Sequence, residues 1–221
     1  MKSRPRESAC GLPGLGSQGQ SRVRDSISVQ LSLVLIIVYI LFGLLGGDFS
    51  TLNLVTPVFS AGCPTWQGAA SYFVQNNCLV WQGWVWMLFT SLFLHASILH
   101  LGGNLLFLLI FGTALEEQVS RGRWLATYLA SGLTGNIAFL LLGPFLGQEV
   151  GLGASGAIYG LLGAAGGVKG AFIMIFLLGL NLFAGGGEIA HVGGLVIGLV
   201  VHRWGNALAQ LFRADSSIPT Y

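Results

Sequence analysis

Residues 151–168, GLGASGAIYGLLGAAGGV, hold Ser155 in a run that is otherwise glycine and apolar apart from Tyr159. A hydroxyl taken out of water without a partner costs about 2–7 kcal/mol, so a serine in these surroundings asks for a reason. Gly147, Gly151 and Gly153 mark a loop before it, and Ala157-Ile158-Tyr159-Gly160-Leu161-Leu162 reads as a helix after it. Ser155 is therefore expected at or near a helix N-terminus, where unpaired backbone N–H groups stabilise negative charge. Helix capping is the plainer alternative, since caps favour serine for unrelated reasons. The nucleophile elbow of soluble hydrolases, Gly-x-Ser-x-Gly after a strand, does not fit the run. A second polar intrusion, His191, lies in the later apolar run Ile189-Ala190-His191-Val192-Gly193-Gly194. If the imidazole meets the serine hydroxyl, the two become base and nucleophile.

Composition sets the surroundings of this pair. Of 221 residues, 53% are hydrophobic and 8% charged, against roughly 25% charged in an ordinary soluble domain. Such a chain is expected to be an all-α, polytopic membrane protein. Its apolar runs approach the ~20 residues that a helix needs to cross a bilayer core of ~30 Å. They cover 27–46, 97–115, 124–146, 154–168, 171–184 and 188–204, which makes a six-transmembrane-helix bundle. The first run is too long and too deep in the chain for a cleaved signal peptide, and is expected to remain as the first span.

Charge placement gives an independent check on this count. With six spans, Lys2, Arg4, Arg6, Arg22, Arg24, Arg121, Arg123, Lys169, Arg203 and Arg213 all fall on one side. The opposite loops hold Asp48, Glu149 and Glu188 but no Lys or Arg. The positive-inside rule then puts both termini in the cytoplasm of a multi-pass protein of the cell membrane, plasma or bacterial inner. The net charge of +2 is a topology signal, with no nucleic-acid patch in it. Residues 1–26 read as a disordered basic tail, 27–205 as the membrane domain and 206–221 as a short cytoplasmic tail.

A long outer loop, about residues 47–96, joins the first two spans and turns apolar around Trp81, Trp84, Trp86, Met87, Leu88 and Phe89. Several tryptophans in an apolar segment favour the headgroup level, so this part is expected to rest on the outer leaflet. Cys63 and Cys78 would face an oxidising compartment, where a disulfide closing a loop of ~15 residues contributes ~3 kcal/mol. Two unpaired buried thiols are the alternative. Cys10, in the tail, is expected to stay reduced.

Two further patterns face the serine and histidine. Gly194 and Gly198 follow His191 on its own helix face and allow a neighbouring helix to approach closely. In Leu94-His95-Ala96-Ser97-Ile98-Leu99-His100-Leu101-Gly102-Gly103-Asn104, His100 and Asn104 stack one turn apart and can both donate hydrogen bonds. A polar helix clamp is one alternative. A metal site is another, but His95, His100 and His191 lack a nearby acid, so neither metal nor cofactor is expected.

Taken together, Gly-x-Ser-Gly opening one membrane helix, Ala-His-x-Gly-Gly on a later one and His-x4-His-x3-Asn on an earlier one resemble the rhomboid family of intramembrane serine proteases. The resemblance runs from about Trp86 to His202, and Gly112-Thr113-Ala114-Leu115-Glu116 also looks like that family. It implies Ser155 as nucleophile and His191 as general base, with His100, Asn104 and the Ser155 amide as oxyanion hole. Tyr159 would pack on the catalytic imidazole, His95 would support the mouth of the site, and Gly153, Gly156, Gly194 and Gly198 would support the geometry. The implied substrates are single-span membrane proteins within the lipid bilayer, entering past the fifth helix.

Two departures stand out. Where the family often has Trp-Arg in the outer loop, this chain has Trp86-Met87. Only 36 residues separate Ser155 from His191, and a fifth span of 171–184 would reach ~21 Å at ~1.5 Å per residue. The alternative function is a catalytically impaired rhomboid-like protein that binds membrane helices for quality control or trafficking.

Overall fold

The computed structural model describes residues 26–46, 57–60, 63–66, 69–179 and 187–215. Residues 1–25, Asp48 and residues 180–184 of the expected fifth span lie outside these. Backbone groups in hydrocarbon must satisfy one another, which is why the long apolar runs are helices. The helices are α1 (Ile27–Gly46), the short α2 (Asn77–Trp81) and α3 (Met87–Thr90), α4 (Ile98–Glu116), α5 (Arg121–Leu142), α6 (Ser155–Gly179) and α7 (Glu188–Asp215). Among the described residues, four stretches are long and apolar enough to cross a membrane, namely Ile27–Leu45, Ile98–Glu116, Arg121–Leu146 and Ser155–Phe176. Leu33, Ile37, Leu41, Leu44 and Leu45 on α1 and Ile137 and Leu141 on α5 are exposed, as lipid-facing side chains are. Helix α7 runs on to Asp215, past residue 205, where the membrane domain was expected to end.

The all-helical expectation needs one amendment, mainly in the segment between α1 and α4. Strands β1 (Pro57–Ser60) and β2 (Cys63–Trp66) pair antiparallel, as do β3 (Gln75–Asn76) and β4 (Val150–Gly151). Such short strands exist because tertiary anchors hold them. Gln75 and Asn77 are fully buried, and the Asn77 amide donates to the carbonyls of Phe139 (3.2 Å) and Gln148 (3.4 Å). Cys63 and Cys78 form a disulfide with a Cα separation of 5.6 Å, which decides between the two thiol readings. Met87, at the position of the family's arginine, is fully buried in an apolar cluster with Cys63, Leu79, Val80 and Leu140. This segment is thus held by apolar insertion and a covalent bridge at that point. Trp81 and Trp86 remain exposed, and Tyr72, Trp84 and Trp86 form a stack with centroid separations of 5.9 and 5.2 Å.

Helix α1 is tied to the end of α4. Glu116 accepts hydrogen bonds from the Ser28 amide (2.6 Å), the Ser28 hydroxyl and the Ser26 hydroxyl (3.1 Å). A carboxylate at a helix N-terminus satisfies orphan N–H groups and complements the dipole.

Helix α6 is long enough to span, but it is not straight. Gly167 has φ +54° and ψ −134°, outside the helical region. Beyond it the chain folds back: a Cβ on Gly170 would lie 2.6 Å from the Leu162 carbonyl oxygen, and Met174 packs with Tyr159 and Leu162. Residues eight apart on one helix stand ~12 Å apart along its axis, so these contacts require two antiparallel halves. The turn comes at Gly167, ahead of the loop expected around Lys169, because a single glycine with positive φ reverses the chain without further loop residues. His202 of α7 fills the space beside it, its Nδ1 2.8 Å from the Ala164 carbonyl oxygen.

Gly167→Ala places a Cβ 2.6 Å from the His202 ring at an unfavourable φ, and is expected to destabilise the protein by about 1–3 kcal/mol. The neighbouring Gly166 has open space around it. Gly166→Ala should therefore leave the thermal unfolding midpoint in detergent near that of the wild type.

Candidate active site

The loop that delivers Ser155 ends in a conformation only glycine adopts easily. Gly153 has φ +123°, and a Cβ there would lie 2.9 Å from His100 Nε2 and 3.8 Å from Ser155 Oγ. One glycine thus separates the His100 ring from the serine hydroxyl. The first helical bond of α6 runs from the Ile158 N–H to the Ala154 carbonyl (3.0 Å). Ala154 is therefore the cap, and Ser155 opens the first turn. The capping alternative fails on this geometry, because the serine side chain is directed elsewhere. Its Oγ lies 2.8 Å from His191 Nε2, and the hydroxyl donates to the ring nitrogen in the Nδ1–H tautomer.

Both side chains are buried, Ser155 at 9% exposure and His191 at 3%. Tyr159, one turn after the serine, covers the imidazole with ring centroids 4.6 Å apart and planes inclined by 34°. His100 follows the Ser97 cap of α4, whose hydroxyl accepts the His100 amide (3.1 Å). Asn104 is fully buried and donates one amide hydrogen to the His100 carbonyl (2.9 Å), which leaves its second hydrogen for another acceptor. His95, for which the resemblance implies a supporting role at the mouth of the site, is fully buried, its ring edge-on to His100 with centroids 5.2 Å apart. Among the described residues no group of three or more His, Cys, Asp or Glu is placed to hold a metal ion.

Helix packing without side chains sets the serine–histidine distance. A Cβ on Gly194 would collide with the Gly156 carbonyl, and one on Gly198 with the Gly160 carbonyl. Helices α6 and α7 therefore touch backbone to backbone over two successive turns. The Ala190 carbonyl, just before His191, is flanked by Gly156 and by Gly135 of α5, where added Cβ atoms would lie 3.1 and 2.5 Å from it. Gly135 was not singled out from the sequence, although it stands with Gly132 on one face of the third apolar run, a small-residue pattern that marks close helix contacts. Gly187 was also missed. It borders the imidazole, where a Cβ would lie 3.2 Å from His191 Nε2.

Comparison with known proteins points to one family over part of the chain. Residues 82–169 match the Rhomboid domain family, a range that contains His95, His100, Asn104, Ser155 and Tyr159 and stops short of His191. The chain is 37% identical over 129 residues to Rhomboid protease GluP of Bacillus subtilis (strain 168), covering 58% of this chain and 22% of that protein. It is 35% identical over 129 residues to RHOMBOID-like protein 6, mitochondrial, of Arabidopsis thaliana, covering 51% of this chain and 41% of the relative. It is 40% identical over 87 residues to Putative rhomboid protease YdcA of Bacillus subtilis (strain 168), covering 39% and 43%. The matches thus span less than half the length of each of these relatives.

Gly194→Ala is expected to force α6 and α7 apart, because its obstacle is a backbone carbonyl that cannot swing aside. Overpacking of this kind costs about 1–3 kcal/mol, read as a lower unfolding midpoint together with slower labelling of Ser155 by a fluorophosphonate. Gly205→Ala, with nothing within 4 Å, should change neither.

Proposed function

We propose that this chain, whose residues 82–169 match the Rhomboid domain family, is an intramembrane serine endopeptidase with Ser155 as nucleophile and His191 as general base. The observation that carries this reading is the 2.8 Å contact between Ser155 Oγ and His191 Nε2. In the first step His191 takes the hydroxyl proton while Oγ bonds to a substrate peptide carbonyl carbon, whose oxygen becomes the oxyanion. The Ser155 amide at the start of α6, the His100 ring and the free amide hydrogen of Asn104 stabilise that charge. Histidine then returns the proton to the leaving amine, and water admitted from the outer side hydrolyses the acyl-enzyme. The reaction uses a dyad. Glu188, the acid nearest His191 in sequence, is occupied at the helix start, where its Oε2 accepts the Gly187 amide (3.1 Å).

The two halves of α6, taken separately and joined with α1, α4, α5 and α7, make up a six-span bundle. Both termini then lie in the cytoplasm and the dyad lies toward the outer leaflet of a cell membrane, plasma or bacterial inner. The substrates are single-span membrane proteins whose segment unwinds near its outer boundary. Catalytic impairment with retained binding of membrane helices is the second reading. It is favoured by the shortness of the α6 halves, since the run from Ser155 to the break at Gly167 covers only ~18 Å at ~1.5 Å per residue.

Wild type in liposomes is expected to cleave a reporter transmembrane substrate, and Ser155→Ala and His191→Ala to abolish cleavage. His100→Ala or Asn104→Ala should lower kcat by about 100- to 1,000-fold. Cleavage that survives Ser155→Ala rules out the dyad. Capture of the substrate helix without cleavage by any of the three proteins selects the second reading. For the topology, a cysteine introduced at position 149 in a Cys10→Ser background should react with an impermeant thiol reagent from outside the cell, and one at 169 should not.

A further inference from the structure

A polar anchor on α5, outside the catalytic motifs, is bonded to the segment that holds the serine loop. Asn136, on α5, donates through its side-chain amide to the Leu88 carbonyl (2.7 Å) and to Ser91 Oγ (2.9 Å). Both of its amide hydrogens are thus spent on the last turn of the outer segment. Ser91 is 1% exposed, and its carbonyl accepts the Gly153 N–H (2.9 Å). Gly153 is the residue whose bare Cα separates the His100 ring from Ser155 Oγ. The Asn136 carbonyl in turn accepts from buried Gln75 (2.9 Å), so the residue is held from both ends. Its neighbour Gly135 receives the carbonyl of Ala190, the residue before His191. Consecutive positions on α5 therefore hold the serine loop, through Ser91, and the histidine helix, by direct contact.

We infer that Asn136 is a positioning residue for Ser155, acting through Ser91 and Gly153 and touching no substrate. The inference rests on the serine endopeptidase reading. Removal of the amide leaves the Leu88 carbonyl and the Ser91 hydroxyl without their donor and frees Ser91 to shift. The Gly153 amide follows the Ser91 carbonyl, and the serine moves relative to both the imidazole and the oxyanion donors. Displacements of that order lower rates while leaving substrate binding alone.

The test measures fluorophosphonate labelling of Ser155 per folded molecule, and kcat and KM on a reporter transmembrane substrate, in liposomes. Asn136→Leu, close in shape but without donors, is expected to slow labelling and kcat by about 10- to 100-fold with KM unchanged. Ser91→Ala, which removes one acceptor, should slow both by about fivefold, and Ser91→Thr, which keeps the hydroxyl, should restore them. If Asn136→Leu does not fold, the Ser91 pair makes the same comparison. Labelling per folded molecule equal to wild type in both Asn136→Leu and Ser91→Ala overturns the inference, as does a rise in KM with kcat intact. Wild type that does not label at all overturns the endopeptidase reading itself, and is recognised before any variant is made.

Discussion

Close approach of α6 and α7 through Gly156, Gly160, Gly194 and Gly198 is the contact on which the rest of this molecule depends. In a bilayer, helices gain little from leaving lipid for one another, so association relies on van der Waals contact and interhelical hydrogen bonds. Bare glycine faces maximise the first, since a side chain at Gly194 or Gly198 would meet a backbone carbonyl. They also set the second. Ser155 and His191 stand on those helices beside the contact, and their 2.8 Å separation follows from how near the two backbones lie. Helix α5 completes the arrangement, with Gly135 as well as Gly156 leaving room for the Ala190 carbonyl.

The segment between α1 and α4 solves a different problem, that of fixing irregular backbone. Irregular structure has unpaired N–H and C=O groups that lipid cannot satisfy. Here side-chain amides meet some of them: fully buried Gln75 and Asn77 and half-buried Asn136 bond to carbonyls of α5, Gln148 and Leu88. The Cys63–Cys78 bridge and buried Met87 add a covalent and an apolar hold at the position where rhomboids often use an arginine. Anchoring of this kind reaches the candidate site directly, because the carbonyl of Ser91 holds the amide of Gly153.

The short spacing of 36 residues between Ser155 and His191 is accommodated by economy at one turn. A conventional helix–helix connection uses about 2–8 residues, whereas Gly167 alone breaks α6 and lets its second half return along the first. His202 closes the far end by bonding the Ala164 carbonyl beside that break. A short connection between Ser155 and His191 is thus compatible with their contact, since the distance between them is set across the helix interface.

Much of this protein was legible in its sequence because lipid makes harsh demands. Apolar runs near span length identify the helices, and the polar residues placed inside or beside them, Ser155, His191, His100 and Asn104, stand out. Gly194 and Gly198 were legible for a related reason, their spacing placing them on the face of His191. What the sequence left open depended on partners distant along the chain. Whether Ser155 caps its helix was open until Ala154 was seen to take the cap and His191 to lie within hydrogen-bond reach of Ser155. The state of Cys63 and Cys78, the burial of His95 and the reversal at Gly167 were settled in the same way. Asn136 and Ser91 carry no periodicity or motif, since a hydrogen bond between residues 45 positions apart leaves no local trace. Hydrophobic patterning is a local property and can be read along one dimension, whereas interatomic distances between helices exist only once packing has fixed their separation and rotation.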